Sequence, residues 1–225
     1  MKSLCLKCNV IFSSLSDDEI DGITRYARPF NYTKDAIVFM QGDPSRSMFF
    51  LEKGRIKISK ISHDGRKFTI DLIESGGFFG ELSLAGEKDR NSIAETTENS
   101  AGLEIDKVIL EKFLARRPDI AIKLIQVIGD KRLCMERLLE NMIFMDVPCR
   151  IVSLLMRYSD HGIVTIPLTH QEIADMTGTT RVSVSRTIVR LRKEGLIETS
   201  GERIKLNDLD RLNKFIQMPL VHVPF

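Results

Sequence analysis

Residues 168–197 read LTHQEIADMTGTTRVSVSRTIVRLRKEGLI, a pattern that predicts two short helices with a tight turn between them. Thr169 is the expected N-cap of the first helix, and Glu172 follows at the spacing of a capping box. Gly178 predicts the end of this helix and Gly195 the end of the second, because glycine readily adopts the left-handed conformation that closes helices. Two short helices joined by a glycine-containing turn form a helix-turn-helix.

The segments on either side of this pair complete a small domain. CRIVSLLMRYS, residues 149–159, predicts a helix after Pro148. LIETSGERIKL, residues 196–206, predicts a β-hairpin that turns at Ser200 and Gly201, and DLDRLNKFI, residues 208–216, predicts a terminal helix. The whole region is therefore predicted to be a winged helix-turn-helix, which places its second helix in the major groove of DNA.

The second helix of the pair has the charge and shape of a groove-binding helix. Its charged side chains are almost all basic, with only Glu194 opposing them, which suits a groove lined by phosphates. Arg181 lies in the first turn, where an arginine can bond O6 and N7 of one guanine. A merely solvated amphipathic face is the alternative, but capping box, turn, basic first turn and hairpin occur together and in order. We predict DNA contacts from Thr169, Gln171, Thr179, Thr180, Arg181, Val182, Ser183, Ser185, Arg186 and Arg190.

The region from about residue 31 to 105 predicts a β domain. Its short runs are rich in β-branched or aromatic residues and are separated by Gly, Asp, Asn and Pro. Asp64 and Gly65 predict a hairpin turn. Many short strands indicate a sandwich or a barrel. The predicted strands are AIVFM (36–40), MFFLEKG (48–54), RIKISKI (55–61), KFTIDLI (67–73), SIAET (92–96) and AGLEI (101–105).

Residues 107–145 predict a long helix with a narrow apolar stripe. The stripe resembles a coiled-coil seam, which favours a parallel pair of helices in a homodimer. Packing of the stripe on the β domain of the same chain is the alternative. Its members are Leu124, Ile128, Met135, Leu138, Met142 and Met145, with Lys131 interrupting the series.

Composition limits the remaining possibilities. The chain has 225 residues, 43% of them hydrophobic, and a formal net charge of +2, so a nucleic-acid partner would have to meet a local basic patch. Neither a membrane-spanning run nor a signal peptide is evident, which predicts a cytoplasmic protein without a membrane partner. A Ser/His/Asp set, a Walker loop and a cluster of metal-ligand residues are all missing from the sequence, so no metal-binding residue is assigned and an enzyme is not expected.

These motifs, taken in order, resemble the CRP/FNR family of transcription regulators over nearly the whole chain. Residues 38–58 (VFMQGDPSRSMFFLEKGRIKI) are similar to the entry strands and hairpin of the family, and residues 78–84 (FFGELSL) to its effector loop. MDVPCRI, residues 145–151, is similar to the hinge, and residues 168–197 to the DNA reader. The resemblance implies an α+β protein with an effector-sensing jelly-roll β-barrel of the cyclic-nucleotide-binding type at 1–106, a dimerisation helix at 107–145 and a winged helix-turn-helix at 146–225. It also implies an allosteric homodimer on palindromic DNA that contacts RNA polymerase, with RYSDHG (157–162) as the contact loop.

The DNA reader departs from the family pattern at one position. The family uses Arg-Glu-x-x-x-Arg, and Arg181 and Arg186 match it, but Val182 replaces the glutamate. A carboxylate accepts from cytosine N4, whereas valine can contact a thymine methyl group. TRVSVSR is closer to the nitrogen-control branch of the family. We therefore expect a half-site with one firm G·C pair, read by Arg181, and A/T at the pair next to Val182.

The effector loop keeps part of the cyclic-nucleotide pattern. In the family, a glycine and glutamate that match Gly80 and Glu81 bind the ribose, and an arginine that matches Arg90 binds the phosphate with a following Ser/Thr-Ala pair. Here Asn91 and Ser92 follow instead. The adenine-binding Thr-Ser pair of cAMP receptors falls on Met135 and Glu136, and Met135 offers no strong hydrogen bond. The candidate effector residues are Gly80, Glu81, Leu82, Ser83, Arg90, Asn91, Met135 and Glu136.

The effector therefore stays open. cAMP or another small anion is the leading class, and an internal Glu81–Arg90 pair that only shapes the turn is the alternative. An iron–sulfur cluster is disfavoured because Cys5 and Cys8 are followed by no further cysteine before Cys134. A two-thiol switch or an adventitious metal at Cys5 and Cys8 stays open, beside the alternative that both cysteines have no such role. Haem is disfavoured because no axial ligand suggests itself near the β domain. A cyclic-nucleotide or redox-sensing module that acts through a protein partner is the alternative function.

Overall fold

A computed structural model describes residues 9, 11–201 and 203–217, and the chain divides into two compact units, Met1–Leu133 and Cys134–Phe225. The predicted boundaries at 106 and 145 stay predictions. Cys5 and Cys8 lie outside the described residues. In the first unit the elements are α1 (Asp17–Thr24), β1 (Arg28–Tyr32), β2 (Ile37–Phe39), β3 (Ser47–Lys53), β4 (Arg55–Ile61), β5 (Lys67–Glu74), β6 (Phe78–Phe79), a 3₁₀ turn (Glu81–Ser83), β7 (Ile93–Thr96), β8 (Ser100–Asp106), α2 (Lys107–Arg116) and the first part of α3 (Pro118–Phe144).

The β strands form two four-stranded antiparallel sheets. Their orders are β1-β8-β3-β6 and β2-β7-β4-β5, so the predicted jelly roll is confirmed as two distinct sheets rather than one closed barrel. β4 and β5 form the predicted hairpin, with Gly65 at φ +79° in its turn. The sequence did not predict the short strand β6, which pairs with β3 and leads directly into the effector loop.

Two apolar clusters hold the first unit together. One lies between the sheets and contains Phe39, Phe49 and Phe79, and the rings of Phe49 and Phe79 stack with centroids 4.9 Å apart. The other joins the outer side of β3 and β8 to the helices and includes Phe50 and Ile120. Aromatic pairs prefer specific ring geometries. Because Phe79 belongs to this cluster and directly precedes Gly80, the cluster holds the start of the effector loop in place.

The predicted long helix is divided in two. Arg117, at φ −129° and ψ +74°, ends α2, and Pro118 begins α3. Proline disfavours the helical conformation at the residue before it but suits the first turn of a helix, which accounts for the break. The sequence analysis also missed α1, although Ser16 and Glu19 form a complete capping box at its start.

The first residue of the predicted seam of α3, Leu124, does not lie on an exposed face. Leu124 is 6% exposed and belongs to the core of the first unit, and Lys131 donates to the Phe78 carbonyl oxygen at 3.0 Å. The alternative, packing on the chain's own β domain, is correct for this part of the helix. The exposed large apolar side chains of α3 are Ile122, Ile125, Ile128, Leu133, Met135, Leu139, Ile143 and Phe144.

The second unit has the predicted winged helix-turn-helix architecture. The predicted hairpin is confirmed as β11 (Ile197–Ser200) paired with β12 (Arg203–Leu206). Two short strands, β9 (Ser159–Asp160) and β10 (Ile163–Val164), extend it to the order β11-β12-β10-β9, where the sequence had predicted a loop. No helix among the described residues is both long and apolar enough to cross a membrane. After α3, its elements are α4 (Val147–Arg157), β9 (Ser159–Asp160), β10 (Ile163–Val164), α5 (His170–Thr177), α6 (Arg181–Lys193), β11 (Ile197–Ser200), β12 (Arg203–Leu206) and α7 (Leu209–Gln217).

Candidate DNA interface and effector site

Helices α5 and α6 begin and end as the sequence predicts. Thr169 and Glu172 form the capping box of α5, and Gly178, at φ +61°, is its C-cap. Thr180 caps α6 by accepting a hydrogen bond from the Ser183 amide at 3.2 Å. These caps satisfy backbone amides that would otherwise be unpaired, so the turn between the helices is fixed by local hydrogen bonds.

Helix α6 divides cleanly into a buried and an exposed face. Val184, Thr187, Ile188 and Leu191 are buried. Successive helical residues are about 100° apart, so this buried stripe leaves a broad arc on the other side. The exposed or half-buried side chains of α6 are Arg181, Val182, Ser183, Ser185, Arg186, Val189, Arg190, Arg192 and Lys193. Apart from two valines and two serines, the outer surface of α6 is therefore basic.

Several predicted DNA-contact residues already have partners within the domain. The Thr169 hydroxyl is engaged in the capping box, and the Gln171 amide donates to Asp175 at 2.7 Å. The Arg190 guanidinium donates to Glu194 at 2.8 Å, and this bond raises the pKa of Arg190. Thr179 is half-buried in the turn, where its amide donates to the Ala174 carbonyl at 3.0 Å. Thr169, Gln171 and Arg190 are exposed as Arg181, Val182 and Arg186 are, but the side chains of the first three are already bonded within the domain.

Two further residues of this surface were missed. Val189 is 47% exposed and lies four residues after Ser185, on the same face of α6. His170, the first residue of α5, places its Nδ1 2.8 Å from the Ser185 hydroxyl. The i, i+4 spacing on the exposed face could have identified Val189. The contact between His170 and Ser185 joins two helices and has no signal in the sequence.

The effector loop begins with a left-handed glycine. Gly80 follows β6 at φ +80° and caps the 3₁₀ turn Glu81–Ser83. A Cβ atom on Gly80 would lie 2.9 Å from Arg90 Nη1 and 3.1 Å from the Ser47 carbonyl oxygen. Glycine is therefore needed here both for the backbone conformation and for the close approach of the Arg90 side chain.

Arg90 is buried and bonded to the backbone of its own domain. It is 4% exposed, and its two terminal nitrogens donate to the Gly80 carbonyl at 3.2 Å and the Ser47 carbonyl at 2.6 Å. The guanidinium lies 4.4 Å from the centroid of the Phe39 ring. Burial lowers the pKa of Arg90, although nearby carboxylates, Glu87 first among them, oppose this. The arrangement pins the segment between β6 and β7 to the inter-sheet cluster.

Glu81 is joined to α3 rather than to Arg90. Its carboxylate accepts from Lys131 Nζ at 3.2 Å, and the same ammonium lies 4.5 Å from the Phe78 ring centroid and 3.9 Å from an Asp71 carboxylate oxygen. Among the contacts of the described residues, the hydrogen bonds of Arg90 go to Gly80 and Ser47. The internal Glu81–Arg90 hydrogen-bonded pair considered from the sequence is therefore replaced by a Glu81–Lys131 pair.

The remaining candidate effector residues lie in different settings. Ser83 is 1% exposed, and its hydroxyl has no hydrogen-bond partner among the described residues. Leu82 is exposed, and Asn91 is exposed with its backbone N–H donating to the Glu87 carboxylate at 3.1 Å. Met135 and Glu136 lie on the exposed surface of α3, in the second unit. Gly80, Ser83 and Arg90 are thus the candidates that surround one turn.

The described cysteines do not form a metal centre. Cys149 donates from its thiol to the Phe215 carbonyl at 3.4 Å, and burial together with the nearby Asp146 carboxylate raises its pKa to about 12. It is therefore a protonated thiol at neutral pH. Within residues 9, 11–201 and 203–217, no group of three or more His, Cys, Asp or Glu side chains is placed to hold a metal ion.

The two units together define a class: a β-sandwich sensor domain joined to a DNA-binding winged helix-turn-helix. Residues 29–117 match the model of the cyclic nucleotide-binding domain, and residues 149–215 match that of the Crp-like helix-turn-helix domain. The chain is 31% identical over 185 residues to the global nitrogen regulator of Synechococcus elongatus, which covers 77% of this chain and 82% of that protein. The chain belongs to the CRP/FNR family of transcription regulators.

Two other relatives span more of the chain. The CRP-like cAMP-activated global transcriptional regulator of Mycobacterium tuberculosis is 27% identical over 210 residues, covering 90% of this chain and 94% of that protein. The structure of a CooA mutant from Carboxydothermus hydrogenoformans superposes with a TM-score of 0.78 at 21% identity, covering 94% of this chain and 95% of that one. The curated relatives are regulators rather than enzymes, in agreement with the sequence prediction.

Proposed function

We propose that this regulator is a homodimer that reads a palindromic DNA site through α6 and changes its DNA affinity when a small anion binds the effector loop. The observation that carries the DNA-reading part is the exposed face of α6, which presents Arg181 and Arg186 beside Val182. In a two-fold dimer, the two copies of α6 would enter successive major grooves roughly 34 Å apart. The exposed β9–β10 turn is the proposed contact for RNA polymerase.

The sequence preference of the half-site follows from the first turn of α6. Arg181 would read one G·C pair through O6 and N7 of guanine, and Val182, at 58% exposed, would favour a thymine methyl at the adjoining pair. Selection from a randomised DNA library tests this directly. We expect one invariant G·C pair per half-site with A/T beside it. An obligatory second G·C pair opposite Val182 would refute the assignment.

The homodimer is proposed to form through the exposed apolar side chains of α3. Ile125 is 68% exposed and Ile143 is 71% exposed, and they recur at a spacing that keeps them on one side of a helix. Burying such side chains against a second copy removes apolar surface from water. Sedimentation of Ile125→Glu should give a monomer that keeps its secondary structure. Val108→Glu, which changes a similarly exposed residue of α2, should stay dimeric. A dimeric Ile125→Glu would exclude this face.

The effector is proposed to bind at the turn formed by Gly80, Glu81 and Ser83, with Arg90 beneath it. Arg90 already holds two carbonyl oxygens, and an anion would compete for the same donors, since charge-assisted bonds to phosphate are stronger than bonds to neutral carbonyls. The buried Ser83 hydroxyl supplies a further donor that has no partner among the described residues. The cAMP-activated relative supports cyclic nucleotides as the first class to test.

Calorimetric titration with cAMP, cGMP, 2-oxoglutarate and haem would identify the ligand. If a cyclic nucleotide binds, Ser83→Ala should weaken its binding by about tenfold, because one hydrogen bond to a charged group contributes roughly 1.5 kcal/mol. Ser75→Ala, which changes an exposed serine elsewhere in the unit, should bind like the unchanged protein. Absence of cAMP and cGMP binding at millimolar concentration would remove cyclic nucleotides, and unchanged binding by Ser83→Ala would remove Ser83 from the site.

A further inference from the structure

A cavity lies among residues of the second unit, and none of its lining residues belongs to α6 or to the effector loop. Its volume is about 410 Å³, within the range of small-molecule sites in proteins. The last turns of α3, the middle of α4 and the C-terminal end of α5 surround it. Its lining residues are Cys134, Arg137, Leu138, Asn141, Met142, Arg150, Ser153, Leu154, Arg157, Met176 and Thr177.

The charged residues that line this cavity are all basic. Arg137, Arg150 and Arg157 line it, and none of its lining residues is acidic. Arg150 Nε is buried and has no hydrogen-bond partner among the described residues. A buried donor without an acceptor costs free energy, and an anion in the cavity would supply the acceptor that Arg150 Nε lacks among these residues.

The remaining lining is mixed, with an apolar part and the polar residues Asn141, Ser153 and Thr177. Leu138 and Met142 from α3, Leu154 from α4 and Met176 from α5 supply the apolar part, and Leu154 and Met176 are almost fully buried. Beside it, Asn141 donates to the Ser153 hydroxyl at 3.2 Å, which links α3 to α4. A space with apolar sides and guanidinium groups suits a ligand that has one charged end and one apolar end.

We propose that this cavity is a second ligand site, which binds a small organic anion with a carboxylate or phosphate head and an apolar body. Arg150, with Arg137 and Arg157, binds the head in the way guanidinium groups bind such anions. The apolar body packs against Met142 and Met176. Met176 and Thr177 are the last residues of α5 before the Gly178 turn, so the ligand joins the end of α3 to the turn that sets the direction of α6.

Methyl NMR of the full chain with ¹³C-labelled methionine tests the proposal. Met142 and Met176 line the cavity, and Met48, fully buried in the first unit, is an internal control. Met142→Leu and Met176→Leu assign the two signals. Phenyl phosphate and benzoate are the anionic probes, benzamide is the neutral probe of similar shape, and inorganic phosphate lacks the apolar body. We expect phenyl phosphate or benzoate to shift Met142 and Met176 but not Met48, and benzamide to bind at least tenfold more weakly.

Variants separate the site from its surroundings. Arg150→Gln should weaken binding of the anionic probe at least tenfold, as should Arg137→Gln, whose exposed side chain makes a fold defect less of a concern. Arg116→Gln, an exposed arginine of α2, should bind normally. Probe binding that is unchanged in both cavity variants, equal binding of benzamide, or no shift of Met142 and Met176 at tens of millimolar probe would each overturn the proposal. Binding retained in Ser83→Ala would show that this site is independent of the proposed effector loop.

Discussion

Arg181 is exposed in the first turn of α6, whereas Arg90 is 4% exposed and bonded to carbonyl oxygens of its own domain. The resemblance to the CRP/FNR family predicts a binding role for both arginines: Arg181 for DNA and Arg90 for the phosphate of an effector. In α6 the buried stripe directs the charged side chains outward. In the β domain the Arg90 guanidinium packs on Phe39 of the inter-sheet cluster and donates to the Gly80 carbonyl oxygen, so it is directed into the domain.

This difference teaches that a residue of a binding motif can belong to the scaffold of the fold. In the proposed function, Arg181 contributes only when DNA is bound, so its loss should change affinity and not stability. Arg90 contributes to the folded state before any ligand arrives, so its loss should change stability first. The variants that follow test this separation, beginning with the largest expected effect.

Arg90→Met should destabilise the first unit by about 2–3 kcal/mol. The Gly80 and Ser47 carbonyl oxygens would lose their donor, and unsatisfied buried acceptors cost about 1–3 kcal/mol each, partly offset because a buried charge is removed. Urea unfolding followed by circular dichroism measures the change. Arg46→Met, at a neighbouring exposed position, should stay within about 0.5 kcal/mol. Equal stabilities of the two variants would show that Arg90 is not part of the scaffold.

Arg181→Ala should weaken specific DNA binding by about 1–3 kcal/mol, or roughly five- to 150-fold. Fluorescence anisotropy at one fixed salt concentration gives the affinity, and the unfolding free energy should move by less than about 0.5 kcal/mol. Arg211→Ala removes an exposed arginine of α7 and serves as the matched control. If Arg181→Ala destabilised the fold as much as Arg90→Met, the contrast between the two regions would fail.

Gly80→Ala compared with Gly65→Ala isolates crowding from backbone strain. Both glycines have φ near +80°, but a Cβ atom at Gly65 meets nothing within 4 Å, whereas one at Gly80 would press on Arg90. Gly65→Ala should cost about 1 kcal/mol from the left-handed backbone, and Gly80→Ala about 1–2 kcal/mol more because of overpacking. Unfolding free energies measure both. Equal losses would mean that Arg90 is easily displaced from Gly80.

The Glu81–Lys131 pair should show the smallest effect. Its atoms are 3.2 Å apart, with side chains 19% and 26% exposed, so a double-mutant cycle of Glu81→Gln and Lys131→Met should give a coupling of about 0.5–1 kcal/mol. The same cycle repeated with bound effector would show whether the pair changes on binding. A coupling near zero in both states would show that this ion pair does not connect the effector loop to α3 energetically.

Much of the fold could be predicted because its signals are local. The Thr169–Glu172 capping box, the glycines that close α5 and α6, and the Asp64–Gly65 turn each depend on a few adjacent residues. The Ser16–Glu19 capping box and Pro118 carried signals of the same kind that the sequence analysis missed. These local hydrogen bonds and steric limits do not depend on tertiary packing.

The remainder depended on which surfaces meet in three dimensions. α3 carries apolar residues on more than one side, so periodicity alone assigned Leu124 to the seam when it packs in the core of its own unit. The direction of the Arg90 side chain is set by Phe39, Gly80 and Ser47, which are distant in sequence. The cavity around Arg150 likewise brings together residues from three helices, and no spacing rule in the sequence reports it.

The exposed isoleucines of α3 have a consequence for how the amount of dimer depends on the concentration of the chain. If dimers form through these side chains, mass action makes the melting temperature rise with protein concentration. At concentrations below the dimer dissociation constant, a twofold rise in chain concentration would give about a fourfold rise in dimer. Because only the dimer spans both halves of a palindrome, promoter occupancy would follow the square of expression level, and synthesis of the protein would itself be a regulatory input alongside any ligand.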